Sequence, residues 1–312
     1  MKFFVDQDLF RDVSDVWEEY GLYDSMASSR LSVTVDDKQY GVPWGYYQWG
    51  MYYRTDIFEK VGLSVPTNFE ELVAACSTLR ENNITPVAIG TRYLWTAAGW
   101  FDYLNMRING YEFHMDLTAG KVSYEDPRLD AVFDHWRELI DPEYFLEDHA
   151  SFSWQDAQAP QINGEAAMYL IGNFYVPTFE AAGIGDQMDF FQFPTIYQGV
   201  GVAEDAPTDI MFIPKGAKNV EDAKKFLAFM SNAQAAGEWA KIAGMLSPNK
   251  NAAKPENRFS IMGAKMLAAA DDIAQFWDRD ANPDMASASM EGFQEFMVKP
   301  DREDKIRDRL EK

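Results

Sequence analysis

The sequence predicts an α/β protein with material for two domains. Apolar runs of strand length alternate with stretches in which apolar residues recur at three and four. The chain has 312 residues, 47% of them hydrophobic, which suits two cores on a prior of roughly 100–200 residues per domain. The alternation of strands with helices further predicts mainly parallel pairing. No segment approaches the ~20 uninterrupted apolar residues of a membrane span.

Residues 8–20 place Leu9, Val13, Val16, Trp17 and Tyr20 at helical spacing, and Gly21 ends the run. Short strands are predicted over 32–35 and 38–42, around Asp36 and Asp37. The stretch 40–63, YGVPWGYYQWGMYYRTDIFEKVGL, organises the chain. Its first half is extended, because Gly41 and Pro43 exclude a helix interior and aromatic residues favour strands. Its second half turns helical at Asp56 and stops at Gly62. Five tyrosines and two tryptophans in that first half fit two readings: a buried strand, or a crossover between two lobes that faces a flat, apolar ligand.

Thr67 and Glu70 have capping-box spacing at the start of the next helix, and 86–90 reads as a short buried strand. Helices follow over 96–109 and from Asp126-Pro127, the latter with Leu129, Val132, Phe133, Trp136, Leu139 and Ile140 as its core stripe. Residues 141–160 are irregular. Strands are predicted over 166–171, 188–194 and 209–214, and helices over 220–231 (on Ala223, Phe226, Leu227 and Met230), 233–242, 263–277 and 286–297.

Composition and motifs exclude several activities. A net charge of −22 argues against nucleic acid and anionic membrane as partners. Cys76 is alone, so no internal disulfide forms, and its apolar helical stripe predicts a buried thiol. No GxSxG, P-loop or GxGxxG occurs. His114, His135 and His149 lack metal-ligand spacing. Asp278, Asp280, Asn282 and Asp284 match alternate positions of a calcium loop, but Pro283 replaces the turn glycine and Ser289 the bidentate glutamate. Neither a metal nor another cofactor is predicted. A hydrolase with paired carboxylates in an aromatic cleft stays open as an alternative, because acid spacing is three-dimensional. The N-terminus shows neither the apolar core nor the cleavage site of an export signal.

Several stretches together resemble the extracellular solute-binding proteins of carbohydrate ABC transporters, the relatives of maltose-binding protein. They are YGVPWGYYQWGMYYRTDIFEKVG, VPTNFEEL, GEAAMYLIGNF, APTDIMFIPKGAKNVEDAKKFLAFM and FWDRDANPDMASASMEGFQEFM, in the family's order. Arg54 stands where the family usually has Asn. The resemblance implies a two-lobed periplasmic-binding-protein-like fold of type II, closing on a sugar held without covalent chemistry. It implies one lobe from 1–45 and 207–276, a second from 50–205 and 280–312, and crossing segments near 43–50, 206–214 and 276–284. It also implies a monomeric, non-enzymatic receptor that delivers a sugar or oligosaccharide to membrane permease subunits, and for the intact relative a periplasmic or extracellular, membrane-associated location.

Carried over position by position, the resemblance puts a sugar-stacking aromatic at Phe174, with Asn173 beside it. It brings Trp44, Tyr46, Tyr47 and Trp49 to the cleft on the first crossing, Asp209 on the second, and Trp277, Asp278 and Arg279 near the third. Trp95 and Trp100 are expected on the C-lobe side of that cleft. Tyr46, Trp49, Phe174 and Asp209 are expected to converge. Family members also carry a signal peptide and a β-α-β portion ahead of the segment at 8–24. The sequence-level expectation is therefore an incomplete N-terminal lobe, poorly soluble and weak in sugar binding.

Overall fold

The computed structural model describes residues 1–312 as two compact units, Met1–Gln48 with Ala206–Lys265, and Trp49–Asp205 with Met266–Lys312. Ten strands occur: β1 Thr34–Val35, β2 Lys38–Gln39, β3 Val42–Tyr46, β4 Trp49–Arg54, β5 Thr85–Ala88, β6 Ala166–Gly172, β7 Met188–Phe191, β8 Ala203–Asp205, β9 Thr208–Met211 and β10 Asp272–Ala274. No helix is long and apolar enough to cross a membrane.

In the first unit β3 and β9 pair antiparallel, Val42 opposite Met211 and Tyr46 opposite Thr208. Trp17, Val13, Leu22, Val33, Val42 and Leu227 form the core. The Trp17 indole donates to the Gly41 carbonyl at 2.9 Å, so its single polar atom is satisfied inside that core. The helix predicted over 8–20 is shorter, Ser14–Glu19. Ahead of it the chain is drawn out against residues 213–215: the Arg11 amide donates to the Ile213 carbonyl and the Lys215 amide to the Leu9 carbonyl. Leu9 consequently leaves the predicted stripe and is exposed. Helix Val220–Ser231 buries Leu227 and Ala228 and leaves Phe226 and Phe229 exposed.

The second unit is built on the sheet β5-β6-β4-β7. Strand β4 runs antiparallel to both β6 and β7, and only β5–β6 and β8–β10 are parallel. The expectation of mainly parallel pairing is thus corrected. The antiparallel pairs come from β4, which is inserted between β6 and β7 and runs against both. Every residue of β4 and β6 is buried, which explains why neither strand alternates in sequence. Helices Phe69–Glu81, Trp95–Asn109, Arg128–Ile140 and Pro283–Val298 supply the rest of the core.

Three local details differ from the sequence reading. The capping box sits one residue later than Thr67/Glu70: Asn68 Oδ1 accepts from the Glu71 amide, and the Glu71 carboxylate accepts from the Thr67 amide and hydroxyl. The helix predicted over 263–277 is Arg258–Ala269, and β10 follows it, pairing with β8. That pairing draws 266–276, assigned by the resemblance to the first lobe, into the second unit. The calcium-like spacing is absorbed by helix Trp277–Asp280 and by an Asn282 cap that accepts from the Met285 amide.

Two buried features anchor this unit. Arg54 clamps Asp56 through Nε and Nη2 at 2.8 and 2.7 Å and donates from Nη1 to the Gln161 and Ile162 carbonyls, closing the C-terminal end of helix Gln158–Ile162. Phe276 has φ 142°, a region natural only to glycine. Asp280 Oδ2 accepts the Gln275 and Phe276 amides, and the Phe276 ring stacks on Trp49 at 4.7 Å.

Candidate functional site: an aromatic cluster in the second unit

Trp95 opens helix Trp95–Asn109 directly after Leu94, whose φ of 68° turns the chain sharply. The turn is closed by the Leu94 amide donating to the Thr91 carbonyl and by the Trp95 amide donating to the Tyr93 carbonyl. Phe174 lies in the single turn Asn173–Tyr175 that leaves β6. Trp154 comes from the irregular stretch before helix Gln158–Ile162. All three rings are half-buried. They meet edge to face: Trp154 and Phe174 at 5.1 Å and 81°, Trp95 and Trp154 at 6.0 Å and 61°, Trp95 and Phe174 at 6.3 Å and 67°. Trp49, fully buried at the start of β4, meets Trp95 at 5.7 Å and 89°.

Polar atoms accompany the rings. Asn173 is fully buried, and neither its amide oxygen nor its amide nitrogen has a hydrogen-bond partner; the same holds for the Trp49 indole N–H. Leaving such groups unpaired costs about 1–3 kcal/mol each. Half-open rings of this kind are what a ligand with apolar C–H faces requires.

The other predicted residues are distributed as follows. Trp100 is core, set edge-on to Phe145 and Phe193. Trp277 is core as well: its indole donates to Ser289 Oγ at 2.6 Å and its ring packs on Phe101. Both are corrected from ligand contacts to packing residues, since no ring face is left open. Asp278 and Arg279 lie in the same single helical turn, Trp277–Asp280, 3.9 Å apart. In the first unit Trp44 stacks on Trp239 at 4.5 Å and 18°, and Tyr46 is half-buried, its hydroxyl pKa raised by burial. Tyr47 is buried with its amide donating to the Pro207 carbonyl, and Asp209 is half-buried on β9, opposite Gly45.

Sequence reasoning missed Trp154 as a member of the cluster, and it missed a buried polar group beneath helix Trp95–Asn109. Arg107 pairs with Glu204, and the Tyr103 hydroxyl and Gln192 amide also donate to that carboxylate. Asp102 accepts the Trp277 amide through Oδ2, while its Oδ1 lies 3.7 Å from His114 Nε2, too far for a hydrogen bond. Burial lowers the His114 pKa to about 3, so the ring is neutral near pH 7. Asp205 is fully buried with both oxygens unpartnered. Burial, followed by the neighbouring charges of Asp280 and Glu204, raises its pKa; burial, then Asp205, does the same to Asp102.

The bacterial extracellular solute-binding protein family matches residues 1–237. An uncharacterised ABC transporter extracellular-binding protein of Pyrococcus horikoshii is 30% identical over 244 residues, 77% of this chain and 54% of that protein. A multiple sugar-binding protein of Streptococcus mutans is 23% identical over 222 residues, 67% of this chain and 51% of that protein. The chain therefore spans about half the length of these curated relatives. Among solved structures, the bacterial solute receptor AcbH, described as preferring β-D-galactopyranose exclusively, superposes with a TM-score of 0.92 at 32% identity. That match covers 99% of this chain and 80% of AcbH. The fold, the order of the motifs and these matches agree: the chain belongs to the bacterial extracellular solute-binding protein family.

Proposed function

We propose that this chain is the substrate-binding component of an ABC importer and holds a sugar non-covalently for delivery to membrane permease subunits. The reading places it outside the cytoplasmic membrane, in the periplasm or tethered at the surface, working as a monomer without nucleic acid. The observation that carries it is the set of three half-buried, steeply inclined rings, Trp95, Trp154 and Phe174. Two relatives, a multiple sugar-binding protein and a galactopyranose receptor, support the same class of ligand. Asp278 and Arg279, in the same unit, are proposed as further contacts.

A hydrolytic reading receives less support. Asp102 and Asp205 are fully buried and held toward the neutral form, whereas a glycosidase needs two acids that reach the substrate. The decisive experiment is calorimetric titration with hexoses and maltose, combined with chromatography of the recovered sugar. Binding with the sugar returned intact is expected. Phe174→Ala should weaken that binding by about 1–3 kcal/mol, the cost of truncating a packed contact residue. Released product would replace the receptor reading with the enzymatic one, and unchanged affinity in a folded Phe174→Ala protein would remove Phe174 from the site.

A further inference from the structure

We infer that Trp154 is a positioning residue that fixes the inclination of Phe174 and Trp95, and thereby which hexose the site prefers; the inference rests on the sugar-binding reading above. Trp154 contacts both other rings, standing nearly perpendicular to Phe174 and steeply inclined to Trp95. The loop that carries it is held from three directions. The Tyr169 hydroxyl, from β6, donates to the Trp154 carbonyl at 3.1 Å. The Asp156 carboxylate accepts the Ser153 amide and hydroxyl at 2.9 and 2.7 Å. On the third side the chain after β5 lies directly against the loop. The Arg92 amide donates to the Phe152 carbonyl, and a Cβ added at Gly90 would meet the Ser153 carbonyl oxygen at 2.1 Å. Backbone atoms cannot yield to such a contact, so Gly90 is what lets the loop seat Trp154 where it is.

A half-buried tryptophan gains only part of its possible burial, yet this one sits on an unusually well-tied loop. Rigid support of a partly open side chain is the arrangement a recognition site needs, because looseness of about 0.5 Å already degrades it. One ring face alone lets a pyranose turn about the normal to that face. A second ring set nearly at right angles blocks the turn, so an axial hydroxyl and an equatorial one no longer fit equally. The discrimination between epimers then depends on Trp154 even where the stacking itself is made by Phe174.

The test compares D-glucose with D-galactose, which differ at one hydroxyl, on the wild-type chain and on Trp154→Ala, Trp154→Phe and Gly90→Ala, by calorimetry. Trp154→Ala should lose about tenfold in affinity for the preferred hexose and bring the ratio between the two sugars close to one. Trp154→Phe, which keeps a wall, should restore much of that ratio. Gly90→Ala keeps every ring but displaces the loop, and should reproduce the loss. Near-ultraviolet circular dichroism without sugar should register the changed ring geometry in Gly90→Ala as well. Wild-type selectivity that persists in Trp154→Ala would overturn the positioning role alone. A wild-type chain that binds no hexose or maltose would overturn the sugar-binding reading, and the inference with it.

Discussion

Of the twelve largest fully buried side chains, eleven belong to the second unit and only Trp17 to the first. The exposed large hydrophobic residues divide the other way, ten in the smaller first unit and five in the second. The second unit turns its aromatic residues inward, as in Phe101 stacked on Phe293 at 4.1 Å. The first unit turns Phe226, Phe229 and Ile242 to water. Because burial of one such side chain contributes about 1.5–3 kcal/mol and a domain's whole margin is about 5–15 kcal/mol, the difference in packing translates into a difference in stability. The same chain thus joins a densely packed unit that carries the aromatic cluster to one that leaves more of its large apolar side chains exposed.

The comparison breaks most sharply at its two cores. Trp17→Ala and Phe101→Ala should each cost about 3–5 kcal/mol, and differential scanning calorimetry should show unequal consequences. In the first unit the loss approaches the whole margin, and its signal should disappear at room temperature. In the second it should lower a transition that remains cooperative. Equal survival of both variants would contradict the contrast.

A smaller effect is expected at Asp205. Its folded-state pKa is raised, so its contribution is fully present below the unfolded value and is lost as pH rises toward the folded one. Asp205→Asn, isosteric and uncharged, should therefore melt higher than wild type near neutral pH, by about 2–4 °C per kcal/mol recovered. The gap should close near pH 4. A variant that melts lower than wild type at pH 8 would show Asp205 to be paired or solvated after all. The smallest effect belongs to Phe226→Ser with Phe229→Ser. Exposed positions of this kind change stability by about 0.5 kcal/mol or less, while binding of a hydrophobic dye should fall clearly. Unchanged dye binding would move the uncovered surface elsewhere.

Helices were readable wherever the apolar stripe was wide, as in Arg128–Ile140 with Leu129, Val132, Phe133, Trp136 and Leu139 buried. Strand direction was not readable in β4, because all of its residues are buried and its partners β6 and β7 come from more than a hundred residues further along the chain. Helical spacing through 263–277 concealed β10, whose three residues carry too little pattern to register. In the aromatic cluster, residue type pointed to the right neighbourhood but not to the right faces. Trp95 and Trp100 share one helix, yet five residues is about 500° of turn, enough to leave one ring half-open and bury the other in the core. Trp154 gave no periodic signal, since contacts with β6 and with the chain after β5 hold its loop. The one available hint was a tryptophan placed among turn-forming Ser153 and Asp156.

Phe276 leaves mutation almost nowhere to go. Its backbone, at φ 142°, asks for glycine, while its ring fills the space over Trp49 and is almost fully buried. Glycine would release strain of order 1–3 kcal/mol but forfeit about 3–5 kcal/mol of packing. An aliphatic side chain would keep the strain and lose the stack. A neutral walk through sequence space therefore meets a dead end here: reaching a relaxed backbone requires first refilling the volume from a neighbouring residue, and only then giving up the ring.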